Sequence, residues 1–435
     1  MKKIVILGAG FGGLRAATVI SKKLKSLNLL QKYEVVLIDR NDYHIYTPLL
    51  YEVATTSKKT ADLSELHTVA TCDLAQLTQN LSLNFIQGEV TAIDFSEGKI
   101  NLAGGQVISC DYAIFALGSE TNHFNIKGLK ENSLPFKTFT DATAIRDAVL
   151  NFFESGPPEA KLAKSGNNKL NIIIGGGGST GIELAGELKM CQGELAAEYG
   201  QCRIGVTIIE AAPTILPGFS SKIVEIVKKR LRFLGVNIIE GEIVEAVRKN
   251  ELTLRSAKKL PFDLFVWAGG VRAPLILAGG PLKTEVRGRI EVVEGMECLP
   301  KTPDLKIYPR VYAIGDNTCI YDLRTGKPMP GVARAAIEEA DIAAHNLIEE
   351  LKAETTENYK PKTKNYAPKE YPYVIPVGGK FAVAKLGPII ISGFLGWLLK
   401  GLVELNYLIS IMPIRKALAL WLKGLKIFIQ NDRLG

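Results

Sequence analysis

Residues 3–15 read KIVILGAGFGGLR, and residues 170–183 read LNIIIGGGGSTGIE. Each is a short aliphatic, β-branched run that meets a cluster of glycines and opens into a helical pattern. After the first, Leu14, Ala17, Ile20 and Leu24 recur on one side of a helix, and the strand Tyr33–Ile38 ends at Asp39. After the second, a helical stretch covers Ile182–Met190, and the strand Val206–Ile209 ends at Glu210. Strand, glycine turn, helix, strand and acid, in that order, describe a right-handed βαβ unit.

The glycines have separable jobs. A dinucleotide pyrophosphate needs a backbone free of Cβ atoms and unpaired N–H groups at a helix N-terminus. Gly8 permits the tight turn, Gly10 the close approach and Gly13 the packing of helix on strand. Gly176, Gly178 and Gly181 repeat that spacing. A lone glycine triplet also serves as a purely structural turn; the flanking strand, helix and acid point to nucleotide binding. Asp39 and Glu210 stand where a carboxylate accepts hydrogen bonds from an adenosine ribose, and Glu210 there repels a 2′-phosphate.

The length of 435 residues predicts two or three domains. Segments alternating between apolar and polar residues lie around Leu83–Ile93 and Lys99–Ile108, and the apolar run Tyr112–Leu117 ends in Gly118-Ser119; along the chain, strands interleave with helices. Leu264–Ala268 ends in Gly269-Gly270, Val311–Ile314 ends in Gly315-Asp316, and Ser155–Asn168 reads as a linker. The alternation predicts parallel sheets covered by helices on both faces. Cys72, Cys110, Cys191, Cys202, Cys298 and Cys319 form no CxxC or CxxxxC pair, which argues against a zinc ribbon or a redox dithiol and fits a reducing compartment. The histidines show no ligand spacing, so no metal is expected, and the N-terminus lacks the apolar core of a signal peptide.

Several motifs resemble the type II, non-proton-pumping NADH:quinone oxidoreductases: VILGAGFGGLR (Val5–Arg15), NDYHIYTPLLYEVA (Asn41–Ala54), GGGGSTGIELAGEL (Gly175–Leu188), EAAPTILPGF (Glu210–Phe219), VWAGGVR (Val266–Arg272) and VYAIGD (Val311–Asp316). The resemblance runs from the first strand to the tail. It implies an α/β fold with two Rossmann-like domains, a discontinuous FAD domain at 1–140 and 285–365 and an inserted NADH domain at 141–284, followed by a C-terminal amphipathic membrane-binding region at 366–435. FAD as cofactor, NADH as substrate and a quinone as acceptor follow from the same resemblance. So do site roles: Asp316 and Gly315 toward the flavin ribityl or pyrophosphate, Gly118 at a flavin-domain strand end, Pro48 and Leu49 near the isoalloxazine, and Glu183 facing nicotinamide and flavin. The pattern departs from the family where glutamines of an AQxAxQ helix are expected. Arg334 and Glu338 occupy those places, four apart, with the spacing of a helical ion pair bordering the acceptor site.

Residues 366–435 carry nine Lys or Arg against three Asp or Glu. Ile389–Leu399 is apolar but short, and Lys400, Glu404 and Pro413 are expected to interrupt any spanning helix, which needs about 20 apolar residues. From Ile414, Arg415, Lys416, Lys423 and Lys426 fall within an arc of about 100°, with Leu418, Trp421, Leu425 and Phe428 largely opposite. That pattern predicts an interfacial helix on an anionic membrane, or a helix packed on the protein body or at a homodimer interface, and it leaves nucleic acid little support. A peripheral enzyme on the cytoplasmic face is the expectation, released by truncation after Tyr371. The rivals are a sulfide:quinone reductase, which needs cysteines near the flavin, a reductase of soluble acceptors, and a catalytically silent flavin-binding protein.

Overall fold

The computed structural model describes residues 1–155, 169–200, 202–304, 310–322 and 326–431; most of the expected linker Ser155–Asn168 lies outside them. In chain order the elements that position the sites are β1 (Lys2–Leu7), α1 (Phe11–Ser26), β2 (Tyr33–Asp39), α2 (Leu50–Thr55), β3 (Asn84–Gln87), β4 (Tyr112–Phe115), β5 (Leu134–Pro135), β6 (Lys169–Gly175), α3 (Ser179–Tyr199), β7 (Arg203–Glu210), α4 (Ser221–Phe233), β8 (Val236–Glu240), β9 (Leu264–Trp267), β10 (Arg310–Ala313), α5 (Ala333–Thr355), β11 (Tyr373–Pro376), β12 (Ala382–Leu386), β13 (Ile389–Gly393), α6 (Phe394–Ile411) and α7 (Ile414–Asn431). They fall into two units: residues 1–45, 72–120 and 271–371 form the first, and 46–71, 121–270 and 372–435 the second.

The first unit holds an all-parallel sheet in the order β10-β4-β1-β2-β3. Ile4, Val5, Ile6 and Leu7 are all buried without alternation, as a parallel strand covered on both faces requires. Strand order reverses between β1 and β4, the crevice where such sheets bind ligands. Helix α1 buries Leu14, Ala17, Ile20 and Leu24, the side read from the sequence, and closes with Lys23 and Lys25 in its last turn, where cations suit the helix dipole. Helix α5 packs against α1 through small residues. A Cβ on Gly12 would stand 3.1 Å from the Ala336 carbonyl oxygen, so the missing side chain sets how close the helices come.

The second unit repeats the plan. Its five-stranded sheet runs β5-β9-β6-β7-β8, again all parallel, with the order reversing between β6 and β9. Leu129, Ile173, Ile209, Leu252, Phe265 and Trp267 belong to one core cluster beneath it. Truncating such a buried aliphatic residue to alanine costs roughly 2–5 kcal/mol.

Residues 46–71 join this unit through the buried Arg146, which donates to the carbonyl oxygens of Thr56, Ser57 and Ala61 at 2.6–3.2 Å. The tail also belongs to it. Strands β11, β12 and β13 form an antiparallel meander. Buried Arg230 of α4 donates to the Val377 and Gly378 carbonyls, and a Cβ on Gly378 would lie 2.5 Å from the Gly186 oxygen of α3.

One expectation about the tail is corrected. Ile389–Gly393 is strand β13, and α6 runs uninterrupted through Lys400 and Glu404 to Ile411. Those charges do not break the helix because both point inward, Lys400 onto Glu52 of α2 at 2.7 Å. Pro413, which lacks an N–H for a continuing helix, separates α6 from α7. By length and composition α6 passes as a membrane span, but one side of it, with Gly396, Glu404, Tyr407 and Leu408, is buried on the protein.

Candidate functional site

The first glycine turn is built by sterics. Gly8 sits at φ +100°, and a Cβ there would come within 2.3 Å of the Ala116 carbonyl oxygen at the end of β4. A Cβ on Gly13 would lie 1.8 Å from the Gly8 oxygen. Around Gly10 nothing stands within 4 Å of the Cβ position, an open cradle at the N-terminus of α1. No side chain caps that end, so its N–H groups remain for a ligand. Asp39 accepts the Ala9 N–H at 2.7 Å and the Asn41 N–H at 2.9 Å. Burial pushes its carboxyl above the ordinary range, and those two N–H groups pull it back. Buried His44 meets the Ala9 carbonyl through Nδ1 at 2.9 Å and the Phe11 ring edge-on; burial pushes its imidazole down to about 4, so it is neutral. His44 was not singled out in the sequence, because its role depends on a carbonyl 35 residues away.

A second anchor lies in the same unit. Ser119 donates to Asp316 at 2.7 Å, the Gly118 N–H to the Asn317 amide oxygen at 3.1 Å, and the Asn317 amide to the Phe115 carbonyl at 3.0 Å. Gly315, at φ +77°, donates its N–H to Glu339 of α5 at 2.6 Å, and burial pushes that carboxyl up to about 7. The cleft here is lined by Gly315, Thr318, Gly331, Ala335 and Glu339. The Thr318 hydroxyl is buried with no partner among the described residues. An open glycine cradle, free helix N–H groups, a strand-end acid and an orphaned hydroxyl fit the phosphates and polyol of a dinucleotide such as FAD.

The second turn matches the first atom for atom. Gly176 sits at φ +112°, its Cβ position 2.4 Å from the Ala268 oxygen, and that of Gly181 is 2.1 Å from the Gly176 oxygen. Gly178 again faces open space at an uncapped helix start, that of α3. Glu210 accepts the Gly177 and Ala212 N–H groups, each at 2.7 Å, and is 9% exposed. Each of its oxygens keeps a second lone pair for a ribose hydroxyl.

Glu183 lies half-buried near the start of α3, just past its first turn, and burial pushes its carboxyl up to about 8, with Lys400 pulling it down. Leu49 is buried, while Pro48 is exposed at the start of a 3₁₀ turn, where its fixed φ suits the bend. The sequence reading passed over the group that gathers nearby. Lys400 pairs with Glu52 and stands 5.1 Å over the Tyr51 ring; Tyr46 and Tyr407 stack at 5.3 Å. Burial pushes Glu404 up to about 7, against the charge of Lys400. A lysine and a glutamate four apart inside an apolar helix were the signal available.

Arg334 and Glu338 do not form the expected helical pair. Glu338 is taken by Lys369 and the Tyr371 hydroxyl, each at 2.8 Å, and Arg334 is exposed in the first turn of α5. The pairing goes to residues 31 and 33 positions away because the segment after α5 folds back along it.

Helix α7 divides into three faces. Ala417, Gly424, Ile427 and Phe428 turn inward and Trp421 is half-buried, whereas Ile414, Leu418, Leu422 and Ile429 are exposed. Arg415, Lys416, Lys423 and Lys426 are exposed beside that apolar stripe. Two of the residues expected on the membrane face, Trp421 and Phe428, thus turn toward the protein instead. Helix α6 adds exposed Phe394, Leu395, Leu398, Leu402 and Val403.

All six cysteines are free, and burial raises every thiol above its ordinary value, Cys72 to about 11 and Cys110 to about 12. None has the lowered pKa of a reactive thiolate.

Comparison with known proteins agrees with this architecture. Residues 2–340 match the family model for pyridine nucleotide-disulphide oxidoreductases. The chain is 30% identical over 434 residues to the type II NADH:quinone oxidoreductase Ndh of Mycobacterium tuberculosis, covering 94% of this chain and 84% of that protein. It is 28% identical to the type II NADH:quinone oxidoreductase of Staphylococcus saprophyticus, over 82% of this chain and 85% of the relative. In fold it is similar to NDH2 of Plasmodium falciparum solved with NADH, at a TM-score of 0.81 and 21% identity, covering 100% and 99% of the two chains. The two glycine turns and the match along nearly the whole length place the chain in the pyridine nucleotide-disulphide oxidoreductase family and, within it, among the type II NADH:quinone oxidoreductases.

Proposed function

We propose that the protein is an FAD-dependent NADH:quinone oxidoreductase working at a membrane surface, catalysing NADH + H⁺ + quinone → NAD⁺ + quinol without pumping protons. The observation that carries this is the pair of like-built glycine turns, the first of which is accompanied by a second anchor in its own unit. The first is the reading for resident FAD, with Gly8, Gly10, Gly13 and Asp39 at one end and Gly118, Gly315 and Asp316 at the other. The second, with Gly176, Gly178, Gly181 and Glu210, takes NADH, which must come and go. Bound FAD supplies two-electron transfer between nicotinamide and quinone, chemistry no side chain offers.

The residues position and protonate. Helix N–H groups at Gly10 and Gly178 meet phosphate charge. Glu183, its carboxyl at about 8, holds a proton at neutral pH and suits a general acid beside the nucleotide turn. Arg334, exposed where the relatives' pattern predicts a glutamine, and Glu338, held by Lys369 and Tyr371, are our candidates for residues bordering the acceptor site.

The apolar stripe of α7 beside an arc of four basic residues supports docking on an anionic bilayer. Such docking brings a lipid-soluble quinone within reach, and NADH inside the cell places the protein on the cytoplasmic face. A second copy of the chain is the other body that could cover an apolar face, but like charges beside the stripe would meet across a two-fold axis, which favours the membrane.

Anaerobic NADH should bleach the bound flavin, and a quinone should restore its colour; a flavin that stays yellow under NADH would sink the proposal. Truncation after Tyr371 is a poor test of docking, because the meander is tied to Arg230 inside the second unit. L418E/L422E is the better one. It should move the protein to the soluble fraction while NADH still bleaches the flavin, and retention on membranes would count against docking.

A further inference from the structure

Two acids end adjacent strands of the second unit at the same level. Glu210 closes β7, Glu240 closes β8, and the two are register partners in the parallel ladder. They are used differently. One oxygen of Glu210 accepts the Gly177 N–H of the glycine turn and the other the Ala212 N–H just beyond the strand. Glu240 instead accepts the Ile215 N–H at 2.7 Å, receives a bond from the Thr214 hydroxyl, and holds the Lys228 ammonium of α4 at 2.8 Å. The Lys228 and Glu240 side chains are 21% and 24% exposed, so the pair is better shielded than an ordinary surface pair. Leu216, at φ +50° and fully buried, donates its N–H to the Gly177 oxygen at 2.8 Å. The segment Thr214–Leu216 is thus stitched to the glycine turn on one side and to Glu240 on the other.

Adjacent strands lie about 4.8 Å apart. The ammonium held at Glu240 is therefore roughly one side-chain length from the strand end where a 2′-phosphate would stand beside Glu210. We propose that Glu240 and Lys228 share with Glu210 the choice between nucleotides: Glu240 neutralises a cation suited to a 2′-phosphate and pins the loop that borders it. Glu240 and Lys228 are positioning and specificity residues, and the inference rests on the second turn being the NADH site.

The charges predict opposite signs. In E240Q the amide oxygen still accepts the Ile215 N–H, but Lys228 is released. The kcat/KM preference for NADH over NADPH should narrow about tenfold, the equivalent of one new favourable charge contact of about 1.4 kcal/mol. In K228M the carboxylate of Glu240 is left uncompensated, and the preference should widen. The narrowing in E240Q should fade at high salt, which screens a solvent-accessible ammonium.

The assay is flavin bleaching of the purified holoenzyme by each nucleotide, at low and at high ionic strength, with bound flavin and Tm recorded for every variant. A purely structural bridge would depress both nucleotides in both variants and leave the ratio unmoved, which overturns the inference while the NADH site stands. Wild-type flavin that neither nucleotide bleaches overturns the reading of the site itself.

Discussion

The two glycine turns share their sterics and differ in what surrounds them. In both, the first glycine has positive φ and would collide with the carbonyl of the neighbouring strand end, the second faces open space, and the third would collide with the first. The first turn is backed by neutral His44 and accompanied by the Ser119–Asp316, Gly118–Asn317 and Gly315–Glu339 bonds. In the second unit one edge strand, β5, is two residues long. In the proposed assignment, recognition of a pyrophosphate is a repeated module and retention is an addition. A cofactor that stays needs anchors at both ends, whereas a substrate that leaves after each turnover must not be held so tightly.

Substituting the open middle glycines would break the comparison most sharply. G10A and G178A place a methyl group in free space, so both proteins should fold. G10A should purify without flavin. G178A should keep its flavin and lose NADH bleaching efficiency by roughly 100-fold, since a displaced pyrophosphate forfeits about 2.7 kcal/mol of contacts. Flavin loss in G178A rather than G10A would reverse the assignment of the two sites.

Titration compares the units next. Glu339 in the first and Glu404 in the second are both pushed from 4.5 up to about 7 by burial. The folded protein prefers each as the neutral acid. Their contribution is therefore complete below about pH 4.5 and is lost as the pH rises through 7, on the order of 3 kcal/mol each. E339Q and E404Q, permanently neutral, should each flatten the fall of Tm between pH 5 and 8. An unchanged slope in either variant would show that its carboxyl titrates normally.

Loosening the second anchor sharpens the contrast further. D316N and S119A should raise the flavin dissociation constant about tenfold, or 1.4 kcal/mol, the scale of one hydrogen bond to a charged group. Neither should alter the NADH-to-NADPH ratio, which belongs to the other unit. The smallest effect is expected at Arg15 and Asp341, an ion pair with side chains about two-fifths exposed. R15A should cost less than about 1 kcal/mol in denaturant unfolding and leave flavin content as it was.

The βαβ units could be read from residues 3–39 and 170–210 because their constraints are local. A glycine is required where a Cβ would strike a carbonyl, and an acid where a strand ends beside the turn. The tail was harder. Lys400 and Glu404 looked like interruptions of an apolar run, yet they are its buried side, since Lys400 finds Glu52 at a sequence distance of 348 residues. Helical periodicity gave α7 an apolar face but could not divide it into buried and exposed parts, and Trp421 and Phe428 turned toward the protein. The i,i+4 spacing of Arg334 and Glu338 allowed a pair, but Lys369 and Tyr371 reached Glu338 instead.

By itself the sequence determined the fold class, the two nucleotide turns and their strand-end acids, and the basic character of the tail. These depend on backbone sterics and on side-chain period, which act over a few residues. Tertiary structure decided which unit residues 46–71 and the tail join, which charges are buried and shifted toward neutral pH, and which face of α7 remains exposed. These depend on partners brought together across hundreds of residues, where desolvation and pairing outweigh any local preference.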